Sequence, residues 1–140
     1  MVILERIGFY FQTVFQIASD PVHIAILFGS VILGIIFGAM PGLTSTLGVA
    51  LLTALTYGMD TATAMLCLLA IYVGGTYGGS YASILINIPG TAASAATALD
   101  GYPLACKGEG GRAIGLTTTS SAIGTIISML FLVSISPLIS

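Results

Sequence analysis

Charge is what this chain has least of. Three basic and five acidic side chains occur in 140 residues, against about a quarter charged in an ordinary soluble domain. So few charges cannot cover a water-facing surface. The net charge of −2 points to neither a nucleic-acid partner nor a polybasic lipid anchor. Cysteine is equally scarce: Cys67 lies in an apolar tract and Cys106 in a polar stretch. Without a CxxC pair they imply neither a metal site nor a disulfide framework, and Cys67 reads as a packing residue. The single histidine, His23, reads as an ordinary residue of the membrane interface. An intramembrane enzyme would need Ser80 or Asp100 as its catalytic group. No nucleophile–base pair or metal-ligand cluster supports that reading. The N-terminus lacks the basic region, apolar core and small-residue cleavage site of a secretory signal.

What fills the chain instead is apolar. Hydrophobic residues make up 56% and the mean hydropathy is +1.10. No charge falls between Pro21 and Met59, between Thr61 and Leu99, or after Arg112. Each tract exceeds the roughly 20 residues that cross a hydrocarbon core. The expected fold is all-α, a polytopic integral membrane protein surrounded by lipid bilayer. The apolar run from Ile127 to Ser140 has no polar tail, and the chain reads as part of a longer one.

Two domains are expected. Residues 1–20 form an amphipathic helix lying in the membrane interface, with Leu4, Ile7, Phe11, Val14 and Phe15 at helical spacing. Residues 21–140 form a transmembrane domain. Asp20-Pro21 has the pattern of an N-cap followed by proline at the first helical position, opening a span over 22–40. The pair Pro41-Gly42 breaks that helix, and 43–57 forms a second one too short to span. After a turn at 58–60, a long helix is expected over 61–88. It carries Gly74, Gly78 and Ala82 in one i,i+4 row and Gly75, Gly79 and Ser83 in the next. These glycine rows are read as surfaces for close helix packing. A second break, Pro89-Gly90, launches a short helix over 91–99. A hydrophilic loop over 100–112 and a last span over 113–139 complete the chain. Lys107 and Arg112 place that loop in the cytoplasm.

The two breaks, PGLTSTLG at 41–48 and PGTAASAA at 89–96, share Pro-Gly followed by small and hydroxylated residues. Interrupted backbone at membrane depth is tolerated where it is buried in protein or lines a cavity. The first turn of a helix carries unpaired N–H groups and about half a positive charge, so two such ends facing one cavity form an anion site without a cation. Pro41, Gly42, Thr44, Ser45 and Thr46, with Pro89, Gly90, Thr91 and Ser94, are the candidate substrate-binding residues. Hydrogen bonds to a charged ligand contribute about 1.5–3 kcal/mol each. Three or four, less the cost of association, reach micromolar affinity, about −8 kcal/mol. Asn87 is the one amide of the apolar interior. It either bonds a neighbouring helix or coordinates a ligand or cation; with Thr91 it forms the candidate Na⁺ site, a coupling ion being Na⁺ or H⁺.

GxxxGxxPGLT at 34–44, YGGSYASILINIPGTAASAATALDGYP at 77–103 and KGEGGRAIG at 107–115 together resemble the large membrane subunit of the tripartite tricarboxylate transporters. The resemblance covers nearly all of the chain from about residue 29. It implies a multi-pass permease of the bacterial inner membrane, several times longer than this chain. It further implies a small membrane subunit, a periplasmic solute-binding protein, and cation-driven uptake of citrate and other carboxylates. The alternative is a non-transporting membrane scaffold that docks partner helices through its glycine-rich faces.

Overall fold

The computed structural model describes residues 2–139, and the described part is helical without strands. Six helices follow in order: α1 (Val2–Ser19), α2 (Pro21–Ala39), α3 (Ser45–Thr56), α4 (Thr61–Ile86), α5 (Ser94–Cys106) and α6 (Gly110–Ile139). Three are long and apolar enough to cross a membrane, over Pro21–Ala39, Thr61–Ile86 and Gly110–Ile135. With 12 and 13 residues, α3 and α5 rise only about 18–20 Å and cannot cross. The chain is an all-α polytopic membrane protein with two half-length helices.

Local chemistry sets the helix starts. Asp20 caps α2, its carboxylate accepting from the Val22 N–H at 3.0 Å, and Pro21 follows at the first helical position. Asp60 caps α4 in the same way through Thr63. These two ends meet: His23 Nε2 lies 3.2 Å from Thr63 Oγ1. His23 Nδ1 stands 3.0 Å from Asp20 Oδ2, an ion-pair distance without the alignment of a hydrogen bond. Further along the same pair of helices, Ser30 Oγ donates to the buried Cys67 Sγ at 3.1 Å.

These contacts run in one order, 23 with 63, 30 with 67, 34 with 71 and 38 with 75, so α2 and α4 are parallel neighbours. Glycine makes the approach close. A Cβ at Gly34 would strike the Ile71 carbonyl, one at Gly74 the Val31 carbonyl and one at Gly78 the Ile35 carbonyl. Backbone lies directly on backbone. Without a hydrophobic force to join helices in lipid, such packing is what holds them.

From the far end of α4 the chain turns back on itself. Asn87 ends α4 in the left-handed conformation, φ 56°, which asparagine adopts more readily than most residues. Residues 88–93 contain no regular helix and bring Gly90 against Gly79, in the middle of α4. Helix α5 then climbs alongside α4, with Gly101 on Ile84. Helix α6 returns antiparallel, Gly110 beside Leu85 and the Tyr77 hydroxyl donating to the Thr118 carbonyl at 2.8 Å.

One expected boundary is corrected. The second half-helix does not end at residue 99, and the polar loop over 100–112 shrinks to residues 107–109. Asp100-Gly101 and Tyr102-Pro103 have turn chemistry, but Gly101 is buried against Ile84, where a Cβ would lie 2.7 Å from Cγ1. Helix-on-helix packing there prevails over the local preference and carries α5 through Pro103.

Candidate functional site

The neighbouring glycine row of α4, at Gly75 and Gly79, meets the two breaks, and Gly75 also lies against Gly38 of α2. A Cβ at Gly75 would stand 2.8 Å from Ser45 Cβ and 2.9 Å from its Oγ. One at Gly79 would touch Gly90 Cα and Thr91 Cγ2, both at 3.4 Å. The breaks therefore lie on successive turns of one helix, about 6 Å apart along its axis.

The half-helices leave this point in opposite directions. From Ser45 on Gly75, α3 descends so that Gly48 meets Ile71 and Phe37. From Thr91 on Gly79, α5 ascends so that Gly101 meets Ile84. Their N-termini consequently face each other around the middle of α4. Two positive helix ends brought together repel, and an anion between them reverses the sign of that interaction.

The hydroxyls around this point differ in what they have left to give. Thr44 is the N-cap of α3, its Oγ1 accepting from the Leu47 N–H at 3.3 Å and sharing a 2.8 Å hydrogen bond with the Thr46 hydroxyl. Thr91 and Ser94 form a reciprocal hydrogen-bonded pair at the start of α5. Ser94 Oγ accepts the Thr91 N–H at 3.0 Å and donates to the Thr91 carbonyl at 2.8 Å, while Thr91 Oγ1 accepts the Ser94 N–H at 3.2 Å. Ser94 is 2% exposed. Ser45 is as deeply buried, yet its Oγ has no hydrogen-bond partner. A buried hydroxyl left alone costs about 1–3 kcal/mol, so an unpaired one at a helix N-terminus marks a place where an acceptor belongs.

Pro41 and Gly42 form the turn above α3, Gly42 at φ +90° with the Leu43 N–H donating to the Met40 carbonyl at 3.1 Å. Pro89 precedes the contact of Gly90 with α2 and α4. Gly74 and Gly78 lie on α2, Gly75 lies between Gly38 of α2 and Ser45, and Gly79 lies on the second break. Asn87 is exposed at the end of α4, and among the described residues no hydrogen bond joins it to Thr91, whose hydroxyl is engaged with Ser94. No group of three or more His, Cys, Asp or Glu able to hold a metal occurs among the described residues. The head-to-head orientation was the part that sequence left out. A Pro-Gly motif marks a break but carries no sign of the direction the next helix takes.

Parallel spans interrupted by two opposed half-helices define a polytopic membrane protein of the discontinuous-helix type. The profile of the tripartite tricarboxylate transporter TctA family matches residues 24–140, and the chain belongs to that family. A relative from Agrobacterium vitis, described as an uncharacterized 52.8 kDa protein in the TAR-I ttuC' 3' region, is 39% identical over 127 residues. That alignment covers 90% of this chain and 25% of the relative, so the chain spans about a quarter of the length of the curated relative it matches. No solved structure matches.

Proposed function

We propose that this chain contributes the N-terminal substrate half-site of a permease that takes up di- and tricarboxylates such as citrate across the bacterial inner membrane. It works with a small membrane subunit and a periplasmic solute-binding protein, and a cation gradient drives it. The carboxylate is moved without being transformed. In this reading the 107–109 turn faces the cytoplasm, and the shared end of α2 and α4 at Asp20 and Asp60 faces the periplasm.

The observation that carries the reading is Ser45: a buried, unpartnered hydroxyl at the N-terminus of α3, on the α4 turn next to the one that holds the N-terminus of α5. Neutral donors and helix ends bind an anion at membrane depth without burying Lys or Arg, which costs at least about 2.5–3.5 kcal/mol there.

The test is Ser45→Ala in the complete transporter with its binding protein. The substitution removes a donor to a charged ligand, so half-saturation for carboxylate should rise about tenfold. The melting temperature should hold or rise, because an unpaired buried hydroxyl is gone. Unchanged uptake kinetics with unchanged stability would remove the two breaks as the carboxylate site.

A further inference from the structure

Besides Ser45 Oγ, one other buried side-chain atom among the described residues lacks a hydrogen-bond partner: His23 Nδ1. It lies at the opposite end of the α2–α4 pair, about 22 Å along α2 from Gly38. The imidazole stands between the caps of two spans. On one side Asp20 caps α2 with Oδ1, on the Val22 N–H, and brings Oδ2 to 3.0 Å from Nδ1. On the other side Nε2 lies 3.2 Å from the Thr63 hydroxyl. Asp60 Oδ2 accepts from the Thr63 N–H at 3.3 Å and, at 3.4 Å, from the Thr63 hydroxyl. Among the described side chains, Asp20 and Asp60 are the charged groups at this end; Lys107 and Arg112 belong to the other, where Gly110 meets Leu85. Tyr57, in the turn before Asp60, is 95% exposed and packs against nothing here.

Counting protons shows what this cluster can do. Nδ1 is closed to water, and a bare lone pair 3.0 Å from a carboxylate oxygen is repelled by it, so Nδ1 carries a proton toward Asp20. In neutral histidine Nε2 is then an acceptor only. The single hydroxyl proton of Thr63 goes to Nε2, and Asp60 keeps the Thr63 N–H alone. With a proton added at Nε2 the ring donates from both nitrogens. The Thr63 oxygen now accepts from Nε2 and its own proton turns to Asp60. Asp20, His23, Thr63 and Asp60 become one unbroken chain of hydrogen bonds. Its outer members are carboxylates, and charge-assisted hydrogen bonds are roughly twice as strong as neutral ones. The N-termini of α2 and α4 oppose the added charge, but each carries only about half a unit, against a full unit on each of the two carboxylates.

We infer that His23 is a proton-operated clasp between the N-terminal ends of α2 and α4, closed through Asp20, Thr63 and Asp60 when the imidazole binds a second proton. The proton comes from water and returns to it, since the His23 side chain is 28% exposed; no bond other than N–H is made or broken. Acid tightens this end of the pair and base loosens it. The rest of the seam does not respond, because at Gly34, Gly74 and Gly78 backbone lies on backbone and nothing there titrates. In the transport reading this end faces the periplasm, so the acidity outside the cell sets the clasp. The clasp itself does not rest on that reading.

The experiment measures amide hydrogen exchange in the first turns of α2 and α4, in the complete permease in nanodiscs without carboxylate. Rates are taken at about pH 5.5 and about pH 8, either side of the range in which histidine changes charge, and corrected for intrinsic exchange. In the wild type, protection of these turns should be at least about threefold greater at the lower pH, with the Gly74–Gly78 stretch unchanged. His23→Gln, which stays neutral, should remove the pH dependence. Thr63→Val should remove it as well, and Thr63→Ser, which keeps the hydroxyl, should retain it. Wild-type protection that is the same at both pH values overturns the clasp, as does an undiminished pH dependence in His23→Gln. If His23→Gln fails to assemble, the Thr63 pair decides: equal pH dependence in Thr63→Val and Thr63→Ser overturns it. Carboxylate uptake is measured in parallel, and its absence alongside pH-dependent protection defeats the transport reading and leaves the clasp standing.

Discussion

The carbonyl of Gly38, in the last turn of α2, occupies the space that a side chain at Gly90 would need. A Cβ there would lie 2.6 Å from that oxygen and 2.8 Å from Gly79 Cα. Gly90 is thus held between the two parallel spans, and the second break is fastened to the same pair of helices that carries the first. Gly90→Ala meets backbone on both sides, which cannot swing away as a side chain would. Overpacking of this kind costs about 1–3 kcal/mol. We expect the second half-helix to be displaced and carboxylate uptake lost, while α2 and α4 stay paired. Proteolytic accessibility of residues 88–93 against that of the 107–109 turn reads the difference; equal protection of 88–93 in wild type and variant would contradict it.

The two glycine rows of α4 should respond differently to the same substitution. Gly78→Ala drives a Cβ into the Ile35 carbonyl and to 2.8 Å from the Ala39 nitrogen, so the α2–α4 pair must separate. Gly79→Ala meets its nearest atoms at 3.4 Å, an ordinary contact. Thermal unfolding in detergent should show a loss of about 2 kcal/mol or more for the first and under about 1 kcal/mol for the second. Equal losses would mean that both rows pack alike.

Asn87 can be assigned by a pair of substitutions with opposite backbone consequences. At φ 56° glycine is unstrained, whereas alanine in the left-handed region costs about 1–2 kcal/mol. If the residue serves as the end of α4, Asn87→Gly keeps stability and uptake, and Asn87→Ala lowers stability by about 1 kcal/mol. A coordinating amide gives another pattern: both variants would raise the cation concentration for half-maximal uptake equally. Titrating uptake with Na⁺ at fixed pH distinguishes the two.

How much of this was legible in the residues varies with the kind of signal. The spans and both breaks follow from charge-free tracts and Pro-Gly pairs, because solvent and backbone covalency act locally. Asp20-Pro21 announced its cap for the same reason. The end of α5 was misread because Asp100-Gly101 is turn-like on its own, and only Ile84, pressing on Gly101, makes it helical. At the breaks, hydroxyl-rich sequence marked Thr44, Ser45, Thr91 and Ser94 alike. Which of them has a hydrogen bond to spare depends on cap geometry: Thr91 and Ser94 spend theirs on each other, and Ser45 does not.

The stretch from Asn87 to Gly90 also constrains how the protein is made. It carries no helix of its own, so its peptide groups cannot rest in lipid unaccompanied. The surface that shelters Gly90 is built jointly by Gly38 and Gly79 and exists only once α2 and α4 have docked. Synthesis supplies those two helices before α5 emerges. Docking of the first pair must therefore precede the settling of the second half-helix, and a defect in the α2–α4 seam should strand α5 outside the bundle during insertion.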